Sequence, residues 1–558
     1  MVEEIVVDTN IYIGAYSLQT ALGDLTATCE AMASGRSGLR YDARFGMPTA
    51  TIDQVAPIAG LTRFEAMLAH AIEQVSRLSG VALDRPDTLL VLSTTKGNVA
   101  LLEGQTEAPE RAYLYASAEV LAAHFGMTTA PVVISNACIS GVSAFVVARR
   151  LLQEGLYRHA IVAGCDELSE FIASGFASFK SISPNPCRPY DAARDGLSLG
   201  EAVGAVLLTR ERALASEPCV ALLGGVVSND ANHISGPSRT GEELAWAITE
   251  ALREAHVTPE EVGCVNTHGT ATRYNDEMES KALAVAALSD VPTNSLKGYI
   301  GHTLGASGVV ESILTIEQLR RGELFATQGF EELGTPCPVA VAAAPQPIRK
   351  AFAVKTASGF GGCNAAIVFG PASEPCDVEE QPAMRSATEV AHAEVVQGES
   401  PFAEMIRARF RAFGEQNLRF YKMSDLAKGV YVAVEELLRQ VPLDEQVGAE
   451  RRAIILSNRA SSLEADLAHQ QLVDQHAPEG TSPAVFVYTL PNVAMGEMAI
   501  RHRIKGDNTF FIEPKQSDWC ERYARQLIAR DRADEVICGW CEKIGQKWHF
   551  EVKLLKNV

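Results

Sequence analysis

The stretch VVISNACISGVSAF, Val132 to Phe145, sets a β-branched apolar run against a cysteine among small residues, and then against a helical pattern. The run predicts a buried strand, Ala137, Ser140 and Gly141 predict a tight corner, and the residues beyond predict a helix with Cys138 at its first turn. Unpaired N–H groups and the positive end of the helix dipole favour a thiolate there, so a lowered thiol pKa is expected. The small neighbours leave room for a molecule to approach the sulfur. A lone cysteine is more often a structural thiol, and the reading depends on what accompanies it.

The chain around this corner has 558 residues, of which 47% are hydrophobic and 21% charged. It is too long for one ordinary domain, and a multi-unit globular protein is expected. A net charge of −20 and a pI near 5.1 argue against nucleic-acid binding, which needs basic faces and a pI above about 9. The start, MVEEIVVDTNIYIGAY, is acidic where a secretory leader would be basic, and no run approaches the ~18 apolar residues of a membrane span. A cytoplasmic location is expected. The twelve cysteines are scattered, which fits reduced core thiols better than a disulfide framework.

Strand-like runs such as HAIVAGCDE, PCVALLGGVV and AFAVKTASGF alternate with helical patterns such as GEELAWAITEALREA, giving an α/β chain with buried sheets. After Gly370 the composition turns to Pro, Glu, Ser and Ala, which predicts a linker over 371–400 between a first unit, 1–370, and a last one, 401–558. The last unit repeats half of the first. DLAKGVYVAVEELL and RAIILSNRASSLEADL match the pattern of FEAMLAHAIEQV and TLLVLSTTKGNVALLE, and HRIKGDNTFFIE onward matches HFGMTTAPVVIS. Placing His124 against His502 sets Gln516 opposite Cys138, so the second copy lacks the cysteine.

Two histidines on similar corners join Cys138. VNTHGTATRYNDEMES places His268 after a β-like run, and SLKGYIGHTLGASG places Lys297 and His302 in a glycine-rich loop entering a helix. One cysteine and two histidines suit thiol acyl chemistry, a nucleophile with donors around a developing negative charge. No metal site is expected, because the clustered spacing of zinc ligands is missing. CGWC at Cys538 to Cys541 lies in a strand-like run without a second such pair and reads as structural. TTKGN around Lys96 lacks the spacing of a phosphate loop.

NACISG, HGTATRYNDEMESKAL, KGYIGHTLGASG and GFGGCNAAIVFG resemble, in order, the signature blocks of the elongating, Cys-His-His type of β-ketoacyl-acyl carrier protein synthase. CRPYDAARDGLSLGEAVGAVLL is similar to a fifth block, with Ala202 where the family usually has glycine. The resemblance covers residues 1 to 370. It implies a thiolase fold of two stacked α-β-α halves, followed by a truncated, catalytically silent half. It implies Cys138 as nucleophile, His268 and His302 as the pair promoting decarboxylation and holding an enolate, and Lys297 as their support. Asp276 and Glu279 would hold that lysine and nearby polar groups. Thr270 and Thr272 would bind the phosphopantetheine arm, Phe360 would be the gate of the glycine-rich loop, and Phe176 would line the acyl pocket. The amides of Cys138 and Phe360 would form the oxyanion hole.

The implied reaction is decarboxylative condensation with malonyl-acyl carrier protein. No cofactor is bound by the protein itself, and substrates arrive on the phosphopantetheine of acyl carrier protein, the expected partner. A homodimer, or a heterodimer with another ketosynthase-like subunit, is also implied. The alternative is a non-catalytic subunit of the chain-length-factor kind, which usually lacks the cysteine. The silent half is expected to imitate a dimer partner, laying NTFFIE where the catalytic copy uses PVVIS.

Overall fold

Five-stranded units built to one plan recur three times along the chain. The computed structural model describes residues 10–372, 384–475 and 480–557. The first unit holds β1 (Ile11–Thr20), β2 (Thr88–Ser93), β3 (Val132–Ile134), β4 (His159–Asp166) and β5 (Ala202–Thr209). The second holds β6 (Ala221–Asn229), β7 (Val262–Asn266), β8 (Thr293–Asn294), β9 (Phe352–Gly359) and β10 (Cys363–Gly370). The third holds β11 (Ala387–Val396), β12 (Arg452–Asn458), β13 (Phe510–Ile512), β14 (Glu535–Ile544) and β15 (Lys547–Asn557).

The strand orders are β1-β5-β4-β2-β3, β6-β10-β9-β7-β8 and β11-β15-β14-β12-β13. In every unit the fifth strand runs antiparallel to the first and fourth, and the fourth, second and third run parallel. Parallel neighbours need helical crossovers. In the first unit α1 (Arg63–Ser79) leads from β1 to β2, α2 (Leu114–His124) and α3 (Ser140–Gln153) lie between the parallel strands, and a short helix α4 (Glu170–Ser178) follows. The second uses α5 (Glu242–Glu254), α6 (Arg273–Val285) and α7 (Ser307–Arg321). The third uses α8 (Asp425–Gln440), α9 (Asn492–His502) and α10 (Trp519–Ala529). Every residue of β2, β4 and β5 is buried, as strands covered on both faces must be.

The expected linker is corrected by β11. Part of 371–400 is the first strand of the third unit, paired along its length with β15. Its inward positions include Ala391, Ala393 and Val395, and two alanines in three give the alternation too little apolar contrast to be read as a strand. Residues 373–383 of that stretch, and the opening residues 1–9, lie outside the described residues.

The units meet in two ways. The first and second join where Ile11 and Tyr12 of β1 pair with Leu222 and Ala221 of β6, and α3 crosses α7 between them. A Cβ on Gly141 would stand 2.5 Å from the backbone nitrogen of Val309, and one on Gly308 would stand 2.3 Å from that of Val142. Gly141, three residues past Cys138, therefore makes room for a helix. The first and third units join edge to edge: β3 pairs antiparallel with β13, Ile134 facing Phe511 and Val133 facing Ile512. The strand of PVVIS thus meets the strand of NTFFIE in the chain's own last unit. Gln516 stands as far past β13 as Cys138 does past β3, and it is exposed at the surface.

Candidate active site

Cys138 and His302 sit on twin corners from the first and second units. Ala137 and Leu304 adopt left-handed backbone, with φ of 47° and 55°, which costs a residue with a Cβ about 1–2 kcal/mol. Each begins or enters a 3₁₀ turn, Ala137–Ile139 or Leu304–Ala306, followed by a helix opening with Ser-Gly. The α3–α7 crossing brings the corners face to face, leaving His302 Nε2 3.0 Å from Cys138 Sγ. The rings of His268 and His302 stand 5.1 Å apart at 86°.

Hydrogen bonds fix which nitrogen of each histidine carries the proton. Nδ1 of His302 accepts from the Leu304 amide at 3.3 Å and lies 3.0 Å from the Ser307 hydroxyl. Nδ1 of His268 faces the Lys297 ammonium at 3.3 Å, a group with no lone pair to offer. Both rings therefore carry hydrogen on Nε2, as donors. Burial, then the charge of Lys297, hold both pKa values well below the usual histidine range, so the rings stay neutral. The three potential ligand atoms lie within 4.8 Å of one another, but a metal approaching this cluster would meet two N–H groups rather than two lone pairs.

The expected low thiol pKa is corrected. Burial pushes Cys138 up to about 12, although the Lys297 charge and the backbone amides of Cys138 and Phe360 pull the other way. Desolvation of the enclosed sulfur outweighs the helix start. The resting group is a thiol surrounded by donors that stabilise negative charge once its proton leaves.

The supporting lysine has a different carboxylate from the one expected. Lys297 Nζ pairs with Glu311 Oε1 at 2.6 Å and donates to the His268 carbonyl at 2.6 Å. The second oxygen of Glu311 takes Lys355 at 2.5 Å. Glu279 instead accepts the amides of His268 and Gly269, at 2.8 and 2.6 Å, and Asp276 accepts those of Tyr190 and Thr270, at 2.8 and 3.1 Å. The two acids grip the backbone that presents His268, while Glu311 neutralises the ammonium groups beneath it. Burial lowers Lys355 to about 8. Glu311 and Lys355 were missed, yet each had a signal: a lone acid in the apolar helical run GVVESIL and a lone lysine in the strand run AFAVKTASG.

A cleft of about 280 Å³ opens onto the cysteine, lined in part by Phe176, His268, Thr270, Thr272, His302 and Phe360. The hydroxyls of Thr270 and Thr272 are 2.8 Å apart. Phe176 stacks on Phe360 at 6.0 Å, and Phe179 packs against Phe360 at 5.2 Å. Asp230, also missed, lines the same cleft and is raised to about 7 by burial and then by the charge of Glu243. Cys538 and Cys541 are buried within β14, and burial raises both thiols, as befits structural residues.

The third unit reaches the walls of this cleft. Phe486 packs on Phe176 at 5.4 Å, and His469 lies 2.9 Å from the carbonyl oxygen of Phe171. Buried Lys96 meets Asp466 at 2.7 Å.

Residues 68–213 match the family model for the N-terminal domain of beta-ketoacyl synthases, and residues 220–331 match the model for the C-terminal domain. Residues 68–331 belong to the beta-ketoacyl synthases. The 3-oxoacyl-[acyl-carrier-protein] synthase 2 of Mycobacterium leprae is 33% identical over 248 residues, 42% of this chain and 59% of that protein. The chloroplastic 3-oxoacyl-[acyl-carrier-protein] synthase I of Hordeum vulgare is 34% identical over 254 residues, 43% of this chain and 54% of that protein. The chain thus spans less than two thirds of the length of these relatives. The ketosynthase ApeO of Xenorhabdus doucetiae, solved in complex with its chain length factor ApeC, superposes with a TM-score of 0.59 at 29% identity, over 65% of this chain and 98% of one chain of that structure. The ketosynthase-chain length factor structure of PfaC covers 99% of this chain and 78% of its own, with a TM-score of 0.78 at 14% identity. That likeness gives the third unit a ketosynthase-like fold as well. Among the described residues no helix is long and apolar enough to cross a membrane.

Proposed function

We propose that this beta-ketoacyl synthase joins an acyl chain held on Cys138 to a malonyl unit, with loss of carbon dioxide. The approach of His302 Nε2 to Cys138 Sγ, 3.0 Å, beside a second neutral histidine is the observation that carries the reading. Cys138 attacks an acyl thioester, and the departing phosphopantetheine thiol takes the proton. The tetrahedral oxyanion forms where the amides of Cys138 and Phe360 point, a site at which one donor is worth about 10²–10³ in rate. In the second step the bond from the malonyl α-carbon to its carboxylate breaks and releases carbon dioxide. The Nε2–H groups of His268 and His302 hold the enolate oxygen. Its carbon bonds to the acyl carbonyl, and Cys138 leaves as the thiolate.

In this reading Lys297 supports the histidines, Glu279 and Asp276 position the His268 loop, Thr270 and Thr272 bind the phosphopantetheine arm, Phe360 gates the cleft and Phe176 lines it. The protein works in the cytoplasm with acyl carrier protein as partner and holds no cofactor of its own. The third unit has no chemistry, and it supplies in one chain what a second ketosynthase-like subunit would supply at β3. Incubation with acyl-acyl carrier protein should add one acyl group to Cys138 by mass spectrometry, absent in Cys138→Ala, and malonyl-acyl carrier protein should then release carbon dioxide. No adduct at any chain length would instead favour a non-catalytic, chain-length-factor-like role. An adduct without carbon dioxide would mark an acyltransferase.

A further inference from the structure

Phe360 is tied at both ends. It lines the cleft together with Cys138, its amide is among the groups that pull the thiol's pKa down, and its carbonyl accepts a 2.8 Å hydrogen bond from Asn492 Nδ2. Asn492 is 1% exposed and is the first residue of α9, in the unit that contributes no chemistry of its own. The loop it grips turns through two consecutive left-handed glycines, Gly361 at φ 89° and Gly362 at φ 72°, a segment with little conformational preference of its own. The fit leaves no slack: a Cβ on Gly361 would fall 2.5 Å from Asn492 Nδ2, and one on Gly496 would fall 2.6 Å from the Gly361 carbonyl oxygen.

The same unit holds the other oxyanion donor. Asn136, two residues before Cys138, donates to the Asn508 carbonyl at 2.6 Å and accepts the Phe510 amide at 2.9 Å. The segments that carry both donor amides are thus bonded, at the peptide after Phe360 and at the side chain two residues before Cys138, to one body outside the catalytic pair of units. A misplaced donor weakens oxyanion stabilisation steeply, because the bond depends on distance and angle.

We infer that Asn492 is a positioning residue of the silent unit, which fixes the Phe360 amide for attack on the thioester. The inference rests on the condensing reading above and adds to it a reason for the third unit to touch the catalytic loop. Asn492→Asp keeps the size and loses the donor, and Asn492→Ala loses it without adding charge.

Two reactions of Cys138 separate positioning from general damage. Acylation by an acyl-phosphopantetheine thioester builds an oxyanion. Alkylation by iodoacetamide forms a carbon–sulfur bond with loss of iodide and a proton, and builds none. Both variants should acylate about tenfold to a hundredfold more slowly, while alkylation, which feels the Phe360 amide only through ionisation of the thiol, should fall clearly less than acylation. Unchanged acylation in both variants overturns the inference, and so does a parallel fall of acylation and alkylation. If the parent chain itself takes no acyl group while its cysteine still alkylates, the condensing reading fails and takes this inference with it.

Discussion

At the scale of the residue, the site turns on two neutral histidines. His268 and His302 have folded-state pKa values far below the ~6.5 of the unfolded chain. The unfolded state therefore binds more protons below pH 6.5, and folding stability falls as pH drops through that value, by up to about 1.4 kcal/mol per pH unit for each ring. Urea unfolding at pH 7.5 and pH 5.5 should show a smaller loss in a His268→Asn, His302→Asn double variant than in the parent chain. An equal loss in both would mean that the rings are not held neutral. The neighbouring carboxylate Glu311 faces two buried ammonium groups at once. Glu311→Gln should destabilise the fold by about 3–5 kcal/mol, as removal of one partner from a buried ion pair does. A shift of the urea midpoint too small for even 1 kcal/mol would contradict this.

At the scale of the element, the decisive feature is a short strand pair. β3 and β13 exchange few backbone bonds, yet Asn136 adds two buried side-chain bonds to the β13 segment, one to the Asn508 carbonyl and one from the Phe510 amide. Asn136→Leu leaves that carbonyl and that amide unpaired, at about 1–3 kcal/mol each, and should lower the urea midpoint accordingly. An unchanged midpoint would show that water replaces both bonds and that the pair is not tight. The sequence marked β3 and β13 as equivalent strands from their flanking histidines and spacing. It could not show that they pair with each other, because register between distant segments is set by the packing of whole units.

At the scale of the whole molecule, three copies of one five-stranded plan share two interfaces. Lys96 crosses the second of these, fully enclosed against Asp466 and the Thr489 carbonyl. Burial lowers the lysine and raises the acid, while the charge of each partner pulls the other back toward its ionised form. Asp466→Asn strands a buried ammonium and should cost about 3–5 kcal/mol, whereas a Lys96→Met, Asp466→Leu double variant should recover most of the loss. Calorimetry of the full chain with both variants checks this, and failure of the double variant to recover would assign the pair a role beyond mutual neutralisation. The motif TTKGN gave no hint of this use of Lys96, since its partner lies 370 residues away.

The sequence by itself determined the family, the alternation of strands and helices, the cysteine and two histidines, and the repeat that loses its cysteine at Gln516. Each is a local signal: a corner between strand and helix, a glycine-rich turn, a run whose period betrays its burial. The tertiary structure decided what depends on distance through space. It assigned the partner of Lys297 to Glu311, enclosed Cys138 so that burial raises the pKa of its thiol, and set a helix against Gly141. It also placed β11 where alanines had hidden a strand, and seated Asn492 on Phe360. Burial and pairing are properties of surfaces brought together, and no spacing along a chain records which surfaces will meet.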